Sequence, residues 1–322
     1  MGSQLLNVDS LTVQYQTSRG NVRAVEDVSF FLEESEILGL VGESGSGKST
    51  LGMSLIRLVP PPGRIIEGSI HLKDKHILEL SEAEMRELRG TQISYVFQDP
   101  MMSLNPVKKI GDHFVEMIRA HDHTTTAEKA IGRAQVALSN VGISAERIDD
   151  YPHQLSGGQR QRVMIALAIT LNPSLLIADE PTTALDVIVQ SKILDLLQSL
   201  RKSYNMSLIL ITHDLSIVLE RCDRVAVMYA GQLVETAPTA ELHGSPKHPY
   251  TQKLLSTIPN IQLSDQRLEA ISGHPPNMIN PPKGCRFWPR CPHVMKVCRT
   301  KIPDLTTTGT EHYTRCYLYG GG

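Results

Sequence analysis

The stretch Gly42-Glu43-Ser44-Gly45-Ser46-Gly47-Lys48-Ser49 constrains this chain more than any other. It follows a short apolar run, Glu36 to Val41, which reads as a strand. It leads into helical spacing over Ser49 to Leu58, which Pro60-Pro61-Pro62-Gly63 ends. Gly42, Gly45 and Gly47 let the backbone curl so that successive N–H groups converge on one anion, and the start of the helix adds its partial positive charge. Lys48 then brings a point charge to the outer phosphates of a nucleotide, the Ser49 hydroxyl is a ligand for Mg²⁺, and Ser44 and Thr50 line the same cradle. A flexible Gly/Ser turn with a surface lysine would need neither the strand before it nor the helix after it. An α/β nucleotide-binding protein is therefore expected.

Such a loop works with a carboxylate at the end of a buried strand, and Leu175-Leu176-Ile177-Ala178-Asp179-Glu180 supplies one. Asp179 is expected to hold Mg²⁺ directly or through water. Glu180 is expected to polarise the attacking water or take its proton. His213 follows another apolar run, Leu208 to Thr212, at the strand edge where ligands sit in open α/β sheets. Taken alone it fits a local structural job as well, and Gln98, after Ile93 to Phe97, is equally ambiguous. Leu155-Ser156-Gly157-Gly158-Gln159 reads as a second anion cradle: a serine N-cap and two glycines ahead of a helix expected over Arg160 to Leu171. Two cradles with one cradle lysine make sense if each nucleotide is closed in by loops of two protomers.

Short apolar strands alternating with helices over residues 156–234 point to a parallel sheet covered on both faces. Before them, Leu5 to Leu32 reads as strands and residues 81–90 and 127–141 as helices. The second helix places Ala127, Ala130, Ile131, Ala134 and Leu138 on one face. Among 322 residues, 32 Lys and Arg stand against 34 Asp and Glu, a balance that argues against a dedicated nucleic-acid binder. No apolar run approaches the length of a membrane span and no N-terminal signal is read, so a cytoplasmic chain is expected. Five cysteines exclude a secreted disulfide scaffold. After about residue 243 the composition shifts to proline and turn formers, an irregular appendage too poor in apolar runs to hold a core alone. The expected division is a nucleotide-binding domain over 1–242, with a helical subdomain at about 99–160, and a Cys/Pro-rich domain over 243–322.

Taken in chain order, the loop at 42–49, Gln98, Leu155 to Gln159, the Asp179-Glu180 strand, Ala184-Leu185-Asp186 and His213 resemble the motif set of ATP-binding-cassette ATPases. The resemblance covers roughly residues 5–240. It implies an α/β P-loop NTPase with a β-subdomain, a RecA-like core and a helical subdomain. It also implies that Tyr15 stacks on adenine and that Gln98 links the core to the helical subdomain and reaches Mg²⁺. Asp186 then lies in a dimer-contacting loop, His213 is the switch histidine, and Ser156 and Gly158 complete the site of a head-to-tail partner. A narrower resemblance rests on Gln98 to Pro106, Tyr151 to Gly158, His248-Pro249-Tyr250-Thr251 and the Cys-bearing tail. Over essentially the whole chain these are similar to the ATP-binding subunits of dipeptide and oligopeptide importers. That implies ATP and Mg²⁺ as ligands, and a paralogous ATPase subunit as partner, or a second copy in isolation. It further implies two membrane-spanning permease subunits, an external peptide-binding protein, and a place on the cytoplasmic face of the membrane. Nickel or another small solute is an alternative cargo. One departure is Ser35, where the family has glycine, so the Glu34-Ser35 turn is expected to reach positive φ less readily.

Cys285, Cys291, Cys298 and Cys316 are separated by 5, 6 and 17 residues. Disulfides are disfavoured in a cytoplasmic ATPase. Zinc accepts four thiolates, but structural zinc sites favour closer pairs, whereas a [4Fe–4S] cluster tolerates wider spacing. Arg286, Arg290, Arg299 and Arg315 each adjoin a cysteine and are read as offsetting the charge of such a site. Some dipeptide-type members of the resembling family carry a cluster, so iron–sulfur is preferred over Zn²⁺, with unligated buried thiols as the third reading. Cys222 reads as core. The cluster is expected to staple the C-terminal segment, away from the phosphate loop; a module that regulates the ATPase is the alternative.

Overall fold

The computed structural model describes residues 3–183, 185–258 and 271–320. The chain begins with β1 (Gln4–Thr17), β2 (Gly20–Glu33), β3 (Ile37–Val41), α1 (Lys48–Leu55), β4 (Gly63–Leu72) and β5 (Lys75–His76). It continues through α2 (Glu82–Leu88), β6 (Ile93–Val96), α3 (Pro100–Ser103), α4 (Ile110–His121), α5 (Ala127–Asn140), α6 (Gly157–Ile169), β7 (Leu175–Asp179) and α7 (Val187–Tyr204). It ends with β8 (Ser207–Thr212), α8 (Leu215–Arg221), β9 (Arg224–Tyr229), β10 (Gln232–Pro238), α9 (Thr239–Gly244), α10 (Pro249–Ser256), β11 (Thr306–Gly309) and β12 (His312–Thr314). Two compact units result: Met1–Leu78 with Leu210–Gly322, and Glu79–Ile209.

In the first unit an antiparallel sheet runs β2-β1-β4-β5. Alternation turns Val28, Phe30 and Leu32 of β2 inward, and a bulge in the pairing with β1 brings Val25 to the same face. β3 is apolar without alternation because all five of its residues are buried, and it pairs in parallel with β9. Strands then follow in the order β11-β12-β10-β9-β3. The chain's end, expected to be irregular, thus adds a hairpin to a sheet: Glu235 of β10 lies opposite Thr314 and Thr236 opposite Tyr313. Ser35 does reach positive φ, at +60°. Its strain, about 1–2 kcal/mol, is borne by a turn in which the Glu33 N–H donates to the Glu36 carboxylate at 2.7 Å.

In the second unit β6 and β7 are parallel. Ser81 caps α2 in a reciprocal box with Glu84, and Thr126 caps α5. The inward face of α5 is Ala130, Ala134, Ala137 and Leu138. Ala127 is exposed, because it sits in the first turn, ahead of the packed face. α6 starts at Gly157 rather than Arg160, because the Ser156 cap draws both glycines into the helix. Among the described residues no helix is long and apolar enough to cross a membrane.

Candidate functional site

β3 delivers the chain into the phosphate loop, where close approach explains two of the glycines. A Cβ on Gly42 would stand 2.1 Å from the Met228 carbonyl oxygen, and one on Gly47, at φ +102°, 2.1 Å from that of Ala24. Both carbonyls belong to strands, β9 and β2, and cannot retreat. Gly47 is the N-cap of α1, whose first turn holds no acidic residue to offset the helix's positive end. Lys48 is buried, and its Nζ donates to the carbonyl oxygens of Gly42 at 2.8 Å and Glu43 at 3.1 Å. Ser44 and Gly45 are exposed, while Ser49 and Thr50 are half-buried in the first turn. The Tyr15 hydroxyl lies 3.5 Å from Thr50 Oγ1, so this aromatic sits beside the helix that leaves the loop. His213 is exposed directly after β8, and Asp214 caps α8.

The carboxylate pair lies in the second unit. Asp179 closes β7 with 5% exposure, and the Tyr95 hydroxyl donates to its Oδ2 at 2.7 Å. Burial, then the adjacent Asp179 carboxylate, push the Tyr95 phenol far above its usual range, so it stays a donor at neutral pH. Tyr95 was invisible in the sequence, because it reaches Asp179 only through the pairing register of β6 and β7. Glu180 adopts φ +45°, unusual for a residue with a side chain. Its Oε2 accepts from Gln98 Nε2 at 2.9 Å and from Thr183 Oγ1 at 3.0 Å. Gln98 and Glu180 are thereby brought together.

Ser156 caps α6: its hydroxyl accepts from the Gln159 N–H at 3.3 Å and its own N–H donates to Gln159 Oε1 at 2.9 Å. Asp186 caps α7, accepting from the Val189 N–H at 2.9 Å. Ser156, Gly158 and Asp186 line one open cavity of about 530 Å³, together with Arg162 and Lys192. Neither cation stands in a motif, so the sequence does not single them out, and with Asp186 they leave the lining with a net charge of about +1. Ala184 lies outside the described residues.

The four clustered cysteines are free thiols. The Cys285 N–H donates to the Cys298 carbonyl at 2.9 Å, an approach that Gly284 permits, since a Cβ there would lie 2.2 Å from the same oxygen. Burial pushes the Cys285 thiol up to about 12 and the Cys316 thiol up to about 11. Among the described residues no group of three or more His, Cys, Asp or Glu is arranged to hold a metal ion. The expected iron–sulfur or zinc centre is therefore not formed by the side chains as they stand. The arginines are also engaged elsewhere. Arg286 pairs with Glu26 and the Ala230 carbonyl, Arg315 with Asp27 at 3.0 Å, and Arg290 with Glu43 at 2.9 Å. Arg299 lies 5.3 Å over the Trp288 ring. The Cys-rich segment is joined to the phosphate loop through Arg290.

A strand-to-helix phosphate loop, a strand-end Asp-Glu pair and a serine-capped signature helix together define an ATP-binding cassette. Matching solved structures include the dimeric, post-hydrolysis ATP-binding cassette MJ0796 bound to ADP and Pi. It is 27% identical with a TM-score of 0.65, covering 73% of this chain and 98% of that one. Residues 25–183 match the ABC transporter family, and residues 234–298 the oligopeptide/dipeptide transporter C-terminal region. The oligopeptide transport ATP-binding protein OppD of Bacillus subtilis is 45% identical over 320 residues, 98% of this chain and 89% of that protein. The dipeptide transport ATP-binding protein DppD of Escherichia coli is 42% identical over 318 residues, 97% and 96% of the two chains. The chain belongs to the ABC transporter ATPases, in the family of these oligopeptide and dipeptide transport ATP-binding proteins.

Proposed function

We propose that this chain is the subunit that binds and hydrolyses ATP to drive dipeptide or oligopeptide uptake through two membrane permease subunits, working at their cytoplasmic face. The observation that carries this reading is similarity over nearly the full length, including the C-terminal region at 234–298 as well as the nucleotide-binding part. Residues 1–242 would serve the nucleotide, with about 99–160 turned to the permeases, and 243–322 form the C-terminal domain of importer type.

Lys48 and the N–H groups of the loop hold the β- and γ-phosphates, and Tyr15 stacks on the adenine. The Ser49 hydroxyl and the buried Asp179 carboxylate are hard oxygen donors that suit Mg²⁺, and Gln98, bonded to Glu180, is the third proposed ligand. Bound there, the ion would neutralise charge developing on the phosphates. Glu180, oriented by Gln98 and Thr183, takes a proton from the attacking water, and His213 donates to the γ-phosphate. Ser156 and Gly158 of a second ATPase subunit, a paralogue in the assembled importer, close over that phosphate, and Asp186 lies at the contact between subunits. An external peptide-binding protein delivers the cargo.

The four cysteines are the proposed ligands of a [4Fe–4S] cluster, with Zn²⁺ as the alternative. The backbone bond that brings Cys285 against Cys298 supports this.

Proteoliposomes holding the chain with its permeases and paralogue test the transport reading. ATP-driven uptake of a labelled dipeptide, abolished by Lys48→Ala, is expected. Uptake of nickel but not of peptide would refute it.

A further inference from the structure

We propose that Arg290 and Tyr250, both from the C-terminal segment, are positioning residues that hold the phosphate loop in its binding geometry by gripping Glu43. This rests on the nucleotide-binding reading of that loop. Glu43 occupies a position for which the loop pattern demands no residue type, yet every one of its polar groups is engaged. Its Oε2 lies 2.9 Å from Arg290 Nη1 and its Oε1 3.0 Å from Nη2, a two-pronged ion pair. Its N–H donates to the Tyr250 hydroxyl at 3.0 Å. Its carbonyl accepts from Lys48 Nζ at 3.1 Å and from the Ser46 N–H at 3.1 Å.

Both grips are themselves rigidly held. The Arg290 side chain is 5% exposed; its Nη1 also donates to the Tyr229 hydroxyl at 3.2 Å, and its Nε to the Ser272 carbonyl at 3.0 Å. Tyr250 is fully buried, its ring 4.6 Å from that of Tyr229 and 5.4 Å from that of Phe287. The Tyr250 N–H donates to His248 Nδ1 at 3.0 Å, and the His248 N–H to the buried Glu235 carboxylate at 2.9 Å. The stretch His248-Pro249-Tyr250 and the Arg290-Cys291 turn, which no step of hydrolysis uses, therefore converge on one residue of the loop.

A loop with glycines at φ +76° and +102° is soft, and few of its conformations aim successive N–H groups at an anion. Anchoring Glu43 from two sides narrows that set before nucleotide arrives, which lowers the ordering cost of binding. Since the grip acts on the loop and not on the reacting groups, it governs ATP affinity rather than the chemical step.

The test compares Arg290→Ala, Arg290→Lys, Glu43→Gln and the Arg290→Ala/Glu43→Gln double variant in the full-length chain. ATP affinity is read by titration, and KM and kcat in the assembled transporter. Each alanine or glutamine variant is expected to raise the ATP Kd and KM about 3- to 30-fold, the range of couplings carried through packed networks, with kcat within about twofold. The double variant should be no worse than the worse single one, and Arg290→Lys should recover part of the loss. Unchanged affinity, additive losses, or a loss confined to kcat would overturn the proposal. If Arg290→Ala does not fold, Glu43→Gln decides alone, because it breaks the same pair without altering the tail. A wild-type chain that binds no ATP would overturn the nucleotide reading itself, a result distinct from wild-type and variant binding equally well.

Discussion

Replacing Glu180 by glutamine exchanges one oxygen for an amide nitrogen and leaves intact what orients the side chain. In the wild type, Oε2 accepts from Gln98 at 2.9 Å and from Thr183 at 3.0 Å. The glutamine carbonyl oxygen can take the same two bonds. The backbone, at φ +45°, meets the same Cβ and so carries the same strain. Lys48, Ser49 and Asp179 are untouched, so ATP and Mg²⁺ should bind as before. What disappears is the group proposed to take the proton from the attacking water. Loss of such a base slows turnover about 10²- to 10⁴-fold, or about 2.7–5.4 kcal/mol on the barrier. Three measurements check this: phosphate release by the chain with the proposed permease and paralogue partners, nucleotide titration, and thermal melting. ATP affinity within about threefold of wild type and an unchanged melting temperature are expected beside the collapse in turnover. Turnover within about threefold of wild type would refute the assignment of Glu180 as the base. Loss of ATP binding together with turnover would refute the argument that geometry survives the exchange.

Glu235 is fully buried and accepts from the Lys247 N–H at 2.6 Å, the His248 N–H at 2.9 Å and His312 Nε2 at 2.8 Å. Glu235→Ala should cost about 3–5 kcal/mol in urea unfolding and speed proteolysis of the hairpin that includes His312. Burial depresses His248 from 6.5 to about 4 despite the opposing pull of Glu235, so the folded state holds it neutral. As pH falls the unfolded chain takes up the proton first, so this contribution is complete above about pH 6.5 and declines toward pH 4, by about 3 kcal/mol. His248→Asn, whose amide oxygen can accept the Tyr250 N–H, should flatten that decline in urea titrations across the same range. Purified without oxygen, the chain should carry iron and acid-labile sulfide in equal amounts on its four clustered cysteines; one zinc and no sulfide would favour the alternative metal, and neither would leave them as plain thiols.

The parts of the site legible in the sequence are those whose chemistry demands residue types at fixed short spacing. A phosphate needs converging N–H groups and a helix start within eight residues, and a strand-end carboxylate follows its apolar run directly, so Gly42 to Ser49 and Asp179-Glu180 stand out. The serine cap of α6 was legible for the same local reason, although its helix begins earlier than glycine's poor propensity suggests. The bond from Tyr95 to Asp179 was not, because it depends on strand register, which an apolar run does not encode. The C-terminal segment shows the limit most clearly. Its prolines and scarce apolar runs read as irregular, yet β12 pairs with β10 and is held there by the buried His312–Glu235 bond, a polar contact that no apolar run announces. Adjacency is the only proximity a sequence displays, and it pairs the arginines with the cysteines beside them. Folding pairs Arg290 with Glu43 across 247 positions and turns Arg286 and Arg315 to acids on β2. A buried guanidinium is stable only where a carboxylate meets it, and the carboxylates that meet these belong to β2 and the phosphate loop. The same pairing that keeps the arginines from the thiols is what ties a segment rich in proline and cysteine to the phosphate loop.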